Sequence, residues 1–166
     1  MALAALALKL LFPVRSRPLA EGKLVHGTAV AIDGYGVLIT GKAGSGKSDL
    51  ALRLIDRGAL LIADDSVNVM LNGDEAVLSC MPNIEGRMEV RNLGILDFDT
   101  ATSAPLTLCV VLESGAKRYP DENSTIEIAG ARVHKILLDP FEASAAIKVE
   151  LALGGLKGHS AANAHV

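Results

Sequence analysis

Tryptophan is absent from the 166-residue chain, and two tyrosines and three phenylalanines hold its aromatic content to 3%. That scarcity argues against stacking platforms for single-stranded nucleic acid, which need successive aromatic rings. Positive charge is also short: 16 lysines and arginines against 19 acidic residues give a net charge of -3. Such a balance supplies no basic field for nucleic acid or an acidic membrane surface. Cysteine is confined to Cys80 and Cys109, 29 residues apart, a spacing that matches no metal or redox motif. Both read as buried, reduced thiols, which fits a reducing cytoplasm. Long hydrophobic runs are missing too. The apolar opening MALAALALKLLF has no basic leader, is broken by Lys9 and falls short of the ~20 residues needed to span a bilayer, so it reads as a lead-in.

What remains is a globular composition, 50% hydrophobic and 21% charged, at a length suited to one domain. Two β-rich runs, Thr28 to Ile32 and Gly36 to Thr40, flank the turn Asp33-Gly34-Tyr35 and predict a hairpin. The second run leads into GKAGSGKS, Gly41 to Ser48. In an ordinary parallel mononucleotide-binding sheet no hairpin precedes this loop, so the sheet is expected to be mixed.

From Ser48 onward the spacing predicts a helix with Leu50, Ala51, Leu54 and Ile55 on one face and Asp49, Arg53 and Asp56 on the other. Gly58 stands where a helix stop is expected. Ala59 to Ala63 then reads as a strand buried on both faces, which delivers Asp64 and Asp65 beside the loop. Further strands are expected in SVNVML, AVLS, LTLCVVLE, STIEIAG and ARVHKILL. A last helix is expected from the Asp139 cap and Pro140 to a stop at Gly154-Gly155.

The G-x-x-x-x-G-K-S loop lies between an apolar strand and an amphipathic helix, the setting its chemistry requires. Gly41, Lys42, Ala43, Gly44, Ser45, Gly46, Lys47 and Ser48 are the candidate nucleotide cradle. Backbone N–H groups would converge on the phosphates, Lys47 would reach the β and γ phosphates, and Ser48 would ligate Mg²⁺. Of the two aspartates, one can hold the metal ion or its water. The second is then left to accept a proton from a hydroxyl nucleophile, since a carboxylate beside another holds a proton more readily. The pattern suits phosphoryl transfer from ATP to an alcohol.

The run VHGTAVAIDGYGVLITGKAGSGKSDLALRLIDRGALLIADDSV, followed by MEVRNLGILDF, resembles the catalytic domain of the HPr kinase/phosphorylase family, which phosphorylates a serine on the phosphocarrier HPr. The likeness covers about Val25 to Leu153. It implies a phosphoenolpyruvate-carboxykinase-like α/β fold with a mixed, β-rich sheet, a phosphate loop and flanking helices, and a homo-oligomer, commonly a hexamer. It also implies a cytoplasmic enzyme regulating the phosphotransferase system.

By position, Asp65, 18 residues after Lys47, matches the family's proton acceptor, with Asp64 supporting Mg²⁺. His26, 21 residues before Lys47, matches the active-site histidine, taken as lying at a strand start. Glu89 matches the signature glutamate implicated in Mg²⁺ binding, Arg91 the signature arginine, and Arg118 an arginine able to stabilise γ-phosphate charge. The resemblance divides the chain into a lead-in (1–24), a catalytic domain (25–155) and a flexible tail (156–166).

Two departures matter. Asn92 replaces a signature glycine, and PFEAS at Pro140 to Ser144 replaces the family's PGRN loop, tied to the reverse reaction. The resemblance therefore supports the kinase direction and not phosphorolysis. Rival readings are an ATP-sensing regulatory module without phosphoryl transfer, a small-molecule kinase, which would want an arginine-rich lid, and an ATPase switch, which would want a longer parallel sheet.

Overall fold

Alternating side chains along two short strands, β2 (Thr28–Ile32) and β3 (Tyr35–Thr40), build two cores from one sheet in this computed structural model, which describes residues 22–115 and 124–162. Val30, Val37 and Ile39 point into one core, and Ala29, Ala31 and Leu38 into the other. This is the period-two consequence of an extended backbone. The two strands pair antiparallel across Asp33-Gly34, both at positive φ (51° and 82°), as a type I′ turn requires.

The remaining strands are β1 (Lys23–His26), β4 (Leu60–Ala63), β5 (Ser66–Asn72), β6 (Glu75–Ser79), β7 (Arg87–Val90), β8 (Gly94–Asp97), β9 (Ser103–Leu112), β10 (Thr125–Ile128) and β11 (Ala131–Leu138). Nine of the eleven strands among the described residues form one sheet, with a path β1-β5-β6-β9-β3-β2-β4 and with β10 and β11 joined through β9. The long β9 is its hub. Its first residues pair antiparallel with β6, and its second half runs parallel to both β3 and β11. The sheet is mixed, as the hairpin before the loop predicts.

β7 and β8 form a separate two-stranded sheet. Met88 anchors it in the first core, 2% exposed, alongside Leu50 and Leu54.

The first core lies under two helices, α1 (Lys47–Asp56) and α2 (Ala145–Ala162). Helix α1 buries Leu50, Ala51 and Leu54, the predicted face. It ends in a Schellman motif: Gly58 N–H donates to Ile55 and Ala59 N–H to Leu54, with Gly58 at φ 104°. The strand after it is slightly shorter and less buried than expected, since Leu60 is 40% exposed.

Helix α2 departs from expectation at both ends. Asp139 caps only a turn, accepting from Phe141 N–H, and the first helical bond runs from Lys148 N–H to the Ser144 carbonyl. At the other end the helix passes through Gly154-Gly155 to Ala162. Packing explains the continuation: Val149, Leu153 and Leu156 follow one face into the first core, and Lys157 reaches Asp33 at 2.8 Å. Tertiary contacts of this kind outweigh the roughly 1 kcal/mol that each glycine costs a helix.

Cys109 is buried and Cys80 half-buried, both as free thiols, and burial pushes both thiols up from their ordinary pKa. No helix among the described residues is long and apolar enough to cross a membrane. Leu54 is fully buried between α1 and the sheet. Leu54→Ala should therefore lower unfolding free energy by about 2–5 kcal/mol, read from the midpoint of a denaturant titration.

Candidate active site

Strand register brings the site together. Thr28 opens β2 opposite Ile39, near the end of β3, while Ala29 faces Ala63 at the end of β4. The start of β2 thus lies between the strand that feeds the phosphate loop and the strand that ends in Asp64. Asp64 Oδ1 accepts two hydrogen bonds there, from Thr28 Oγ1 at 2.8 Å and Ser48 Oγ at 2.9 Å. Hydrogen bonds to a charged acceptor contribute about 1.5–3 kcal/mol each when partly shielded from water.

The loop itself holds positive φ at Gly44 (74°) and Gly46 (92°), which turns its backbone inward and leaves Gly46 as the left-handed N-cap of α1. Lys47 is 8% exposed, and its Nζ donates to the carbonyls of Gly41 at 3.2 Å and Lys42 at 3.0 Å. Ser45 Oγ is buried without a partner. A buried ammonium resting on the loop's own carbonyls and an orphaned hydroxyl beside them fit a phosphate-bearing ligand. Ser48 and Asp64 supply the oxygen donors that a hard divalent cation prefers.

Asp64 and Asp65 are consecutive but face different surroundings. Asp65 has φ 66°, and Ser66 N–H donates to the Asp64 carbonyl across it at 2.8 Å, forming the strained positive-φ γ-turn. Its side chain is 81% exposed. Strand β1 pairs with β5 so that His26 faces Ser66, which sets His26 Nδ1 3.4 Å from Asp65 Oδ1. His26 is therefore the last residue of its strand, not the first. Gly27 links it to β2 and donates its N–H to the Asp65 carbonyl; a Cβ at Gly27 would come within 2.7 Å of the Ile39 carbonyl oxygen.

Glu89 and Arg91 are exposed on and just after β7. No group of three or more His, Cys, Asp or Glu suited to a metal occurs among the described residues. Arg118 lies outside those residues.

Two features of the site were not legible in the sequence reading. Arg53, expected on the outer face of α1, instead donates from Nη2 to the Pro140 carbonyl at 2.6 Å and from Nη1 to that of Glu142 at 3.3 Å. Asp139 ties two loops together, accepting from Phe141 N–H at 3.0 Å and Gly115 N–H at 3.2 Å. Asp139-Pro140, expected to open the last helix, forms a turn ahead of it instead.

The backbone donors Phe141 and then Gly115 hold the Asp139 carboxyl below its usual 3.8. A depressed folded pKa means the stabilisation is complete above the unfolded value and is lost as pH falls through the folded one. Amide-exchange protection of Gly115 and Phe141 should accordingly persist from neutral pH into the ordinary aspartate range and disappear only at lower pH.

Residues 17–139 match the family model for the HPr Serine kinase C-terminal domain. Curated relatives from Burkholderia lata and Burkholderia cenocepacia, both HPr kinase/phosphorylases, are 36% identical over 135 residues, covering 74% of this chain and 42% of each relative. The chain thus spans less than half the length of those relatives. The solved Hpr(Ser) kinase/phosphatase from Coxiella burnetii superposes with a TM-score of 0.72 at 27% identity, covering 83% of this chain and 98% of that one.

Proposed function

From the chain's membership of the HPr serine kinase C-terminal domain family, to which it belongs, we propose that it is an ATP-dependent protein serine kinase acting on an HPr-type phosphocarrier. The observation that carries the proposal is the division of labour between adjacent aspartates. Asp64 turns inward to Ser48, where a metal-binding carboxylate is needed, and Asp65 turns outward to 81% exposure, where a protein substrate can reach it.

In this reading the loop Gly41 to Ser48 holds the triphosphate of ATP, with Lys47 transferring its hydrogen bonds from the loop carbonyls to phosphate oxygens. Ser48, Glu89 and Asp64 would hold Mg²⁺, Glu89 on the family's pattern. Bound Mg²⁺ supplies charge neutralisation across the phosphates. The substrate serine oxygen attacks the γ phosphorus, the bond to the β-bridging oxygen breaks, and Asp65 takes the hydroxyl proton. His26, 3.4 Å away, orients the Asp65 carboxylate near the transferred group. Arg118 stabilises γ-phosphate charge. Catalysis then rests on positioning and electrostatics, without a covalent enzyme intermediate.

The reading includes a cytoplasmic setting and a homo-oligomer, hexameric on the family's pattern. It includes the kinase direction and not phosphorolysis, because PFEAS brings no arginine to the segment after β11.

Radiolabelled ATP, Mg²⁺ and an HPr-type phosphocarrier provide the test. Serine-linked label on the carrier is expected with the wild-type protein. Asp65→Asn should reduce transfer by about 10²–10⁴-fold while leaving ATP binding intact. ATP binding with no label on the carrier would favour the regulatory-module reading instead, and undiminished transfer by Asp65→Asn would remove Asp65 from the role of base.

A further inference from the structure

The parallel strands β3, β9 and β11 end on the same edge of the sheet, the edge where open α/β sheets bind ligands. Strand β3 feeds the phosphate loop, and the segment after β11 lies against that loop. Pro140 in this segment is buried, and a Cβ on Gly46 would sit 3.3 Å from Pro140 Cβ. The segment is therefore a wall beside the N-terminus of α1, where backbone N–H groups favour an anion.

Two side chains hold the wall. Asp139 fixes its start through the N–H groups of Phe141 and Gly115. Arg53 fixes its middle: the guanidinium spans the Pro140 and Glu142 carbonyls, and Asp49, one turn earlier on α1, steadies it at 3.0 Å. Arg53 Nε is buried and unpartnered, so the group is held through its two terminal nitrogens. A lysine could not reproduce that geometry, because an ammonium lacks the planar pair of donors.

We infer that Arg53 is a positioning residue for the nucleotide site, holding the Asp139–Glu142 wall against Gly46 without touching the phosphates. The inference rests on the proposal that the loop binds ATP. Without the fork the wall must be ordered each time nucleotide binds, so the loss falls on binding more than on the chemical step.

Three proteins should be compared: wild type, Arg53→Ala and Arg53→Lys. Amide exchange at Phe141 and Ala145, whose N–H groups bond Asp139 and the Glu142 carbonyl, should accelerate about tenfold in both variants of the unliganded protein, and KM for ATP should rise about tenfold with kcat within about threefold. Wild-type exchange and wild-type KM in both variants would overturn the inference. Full recovery by lysine would overturn it too, because charge and not the fork would then be the requirement. Arg53→Lys keeps the aliphatic stem and charge, so it serves if Arg53→Ala fails to fold. Failure of the kinase proposal is separately visible as wild-type protein that binds no ATP, while the exchange measurement still reports on the wall.

Discussion

One carboxylate oxygen, Asp64 Oδ1, accepts from both Thr28 and Ser48, and through it three elements meet at one point. Thr28 is fully buried at the start of β2, Ser48 lies in the first turn of α1, and Asp64 follows the last residue of β4. Neither hydroxyl is near Asp64 in sequence: they lie 36 and 16 positions away. The bond pair can form only when β2 lies between β3 and β4, so the site's geometry depends on the mixed sheet. In an all-parallel arrangement no antiparallel strand would supply Thr28 from that position.

The same sheet explains why the neighbouring aspartate is different. Strands β4 and β5 both run antiparallel to the β1–β2 run, so the two residues between Ala63 and Ser66 kink the chain opposite Gly27 without reversing it. Asp65 absorbs the kink in a positive-φ γ-turn, and the β1–β5 register sets His26 against it. Strain of this kind costs on the order of 1–3 kcal/mol and persists where surrounding structure enforces it. Here the enforcing contacts are the Gly27 N–H on the Asp65 carbonyl and the Ser66 N–H on the Asp64 carbonyl.

Local signals in the sequence were strong where local physics decides. The hairpin turn, the glycine loop, the apolar face of α1 and its Gly58 stop all depend on neighbouring residues, and they stand close to where the pattern placed them, with Tyr35 joining β3 and Ile55 only partly buried. Signals failed where distant packing decides. Gly154-Gly155 carries the propensity of a stop, but the Leu156 contact with the first core carries α2 onward. Arg53 looked solvated because its acceptors, the Pro140 and Glu142 carbonyls, are 87 and 89 residues away. His26 was misplaced within its strand because β1 owes its existence to pairing with β5 and carries little strand signal of its own. The pairing of β7 with β8 apart from the main sheet has no local signal, although Met88 and Val90 alternate onto the side of MEVR that meets the first core.

On the proposed kinase function, Ser48 and Asp64 act as one unit in holding a metal–nucleotide complex. A double-mutant cycle with Ser48→Ala, Asp64→Asn and the pair, read as Mg²⁺-dependent ATP affinity, tests it most directly. The account predicts a coupling of at least about 1 kcal/mol between the two positions; losses that add within about 0.3–0.5 kcal/mol would contradict it.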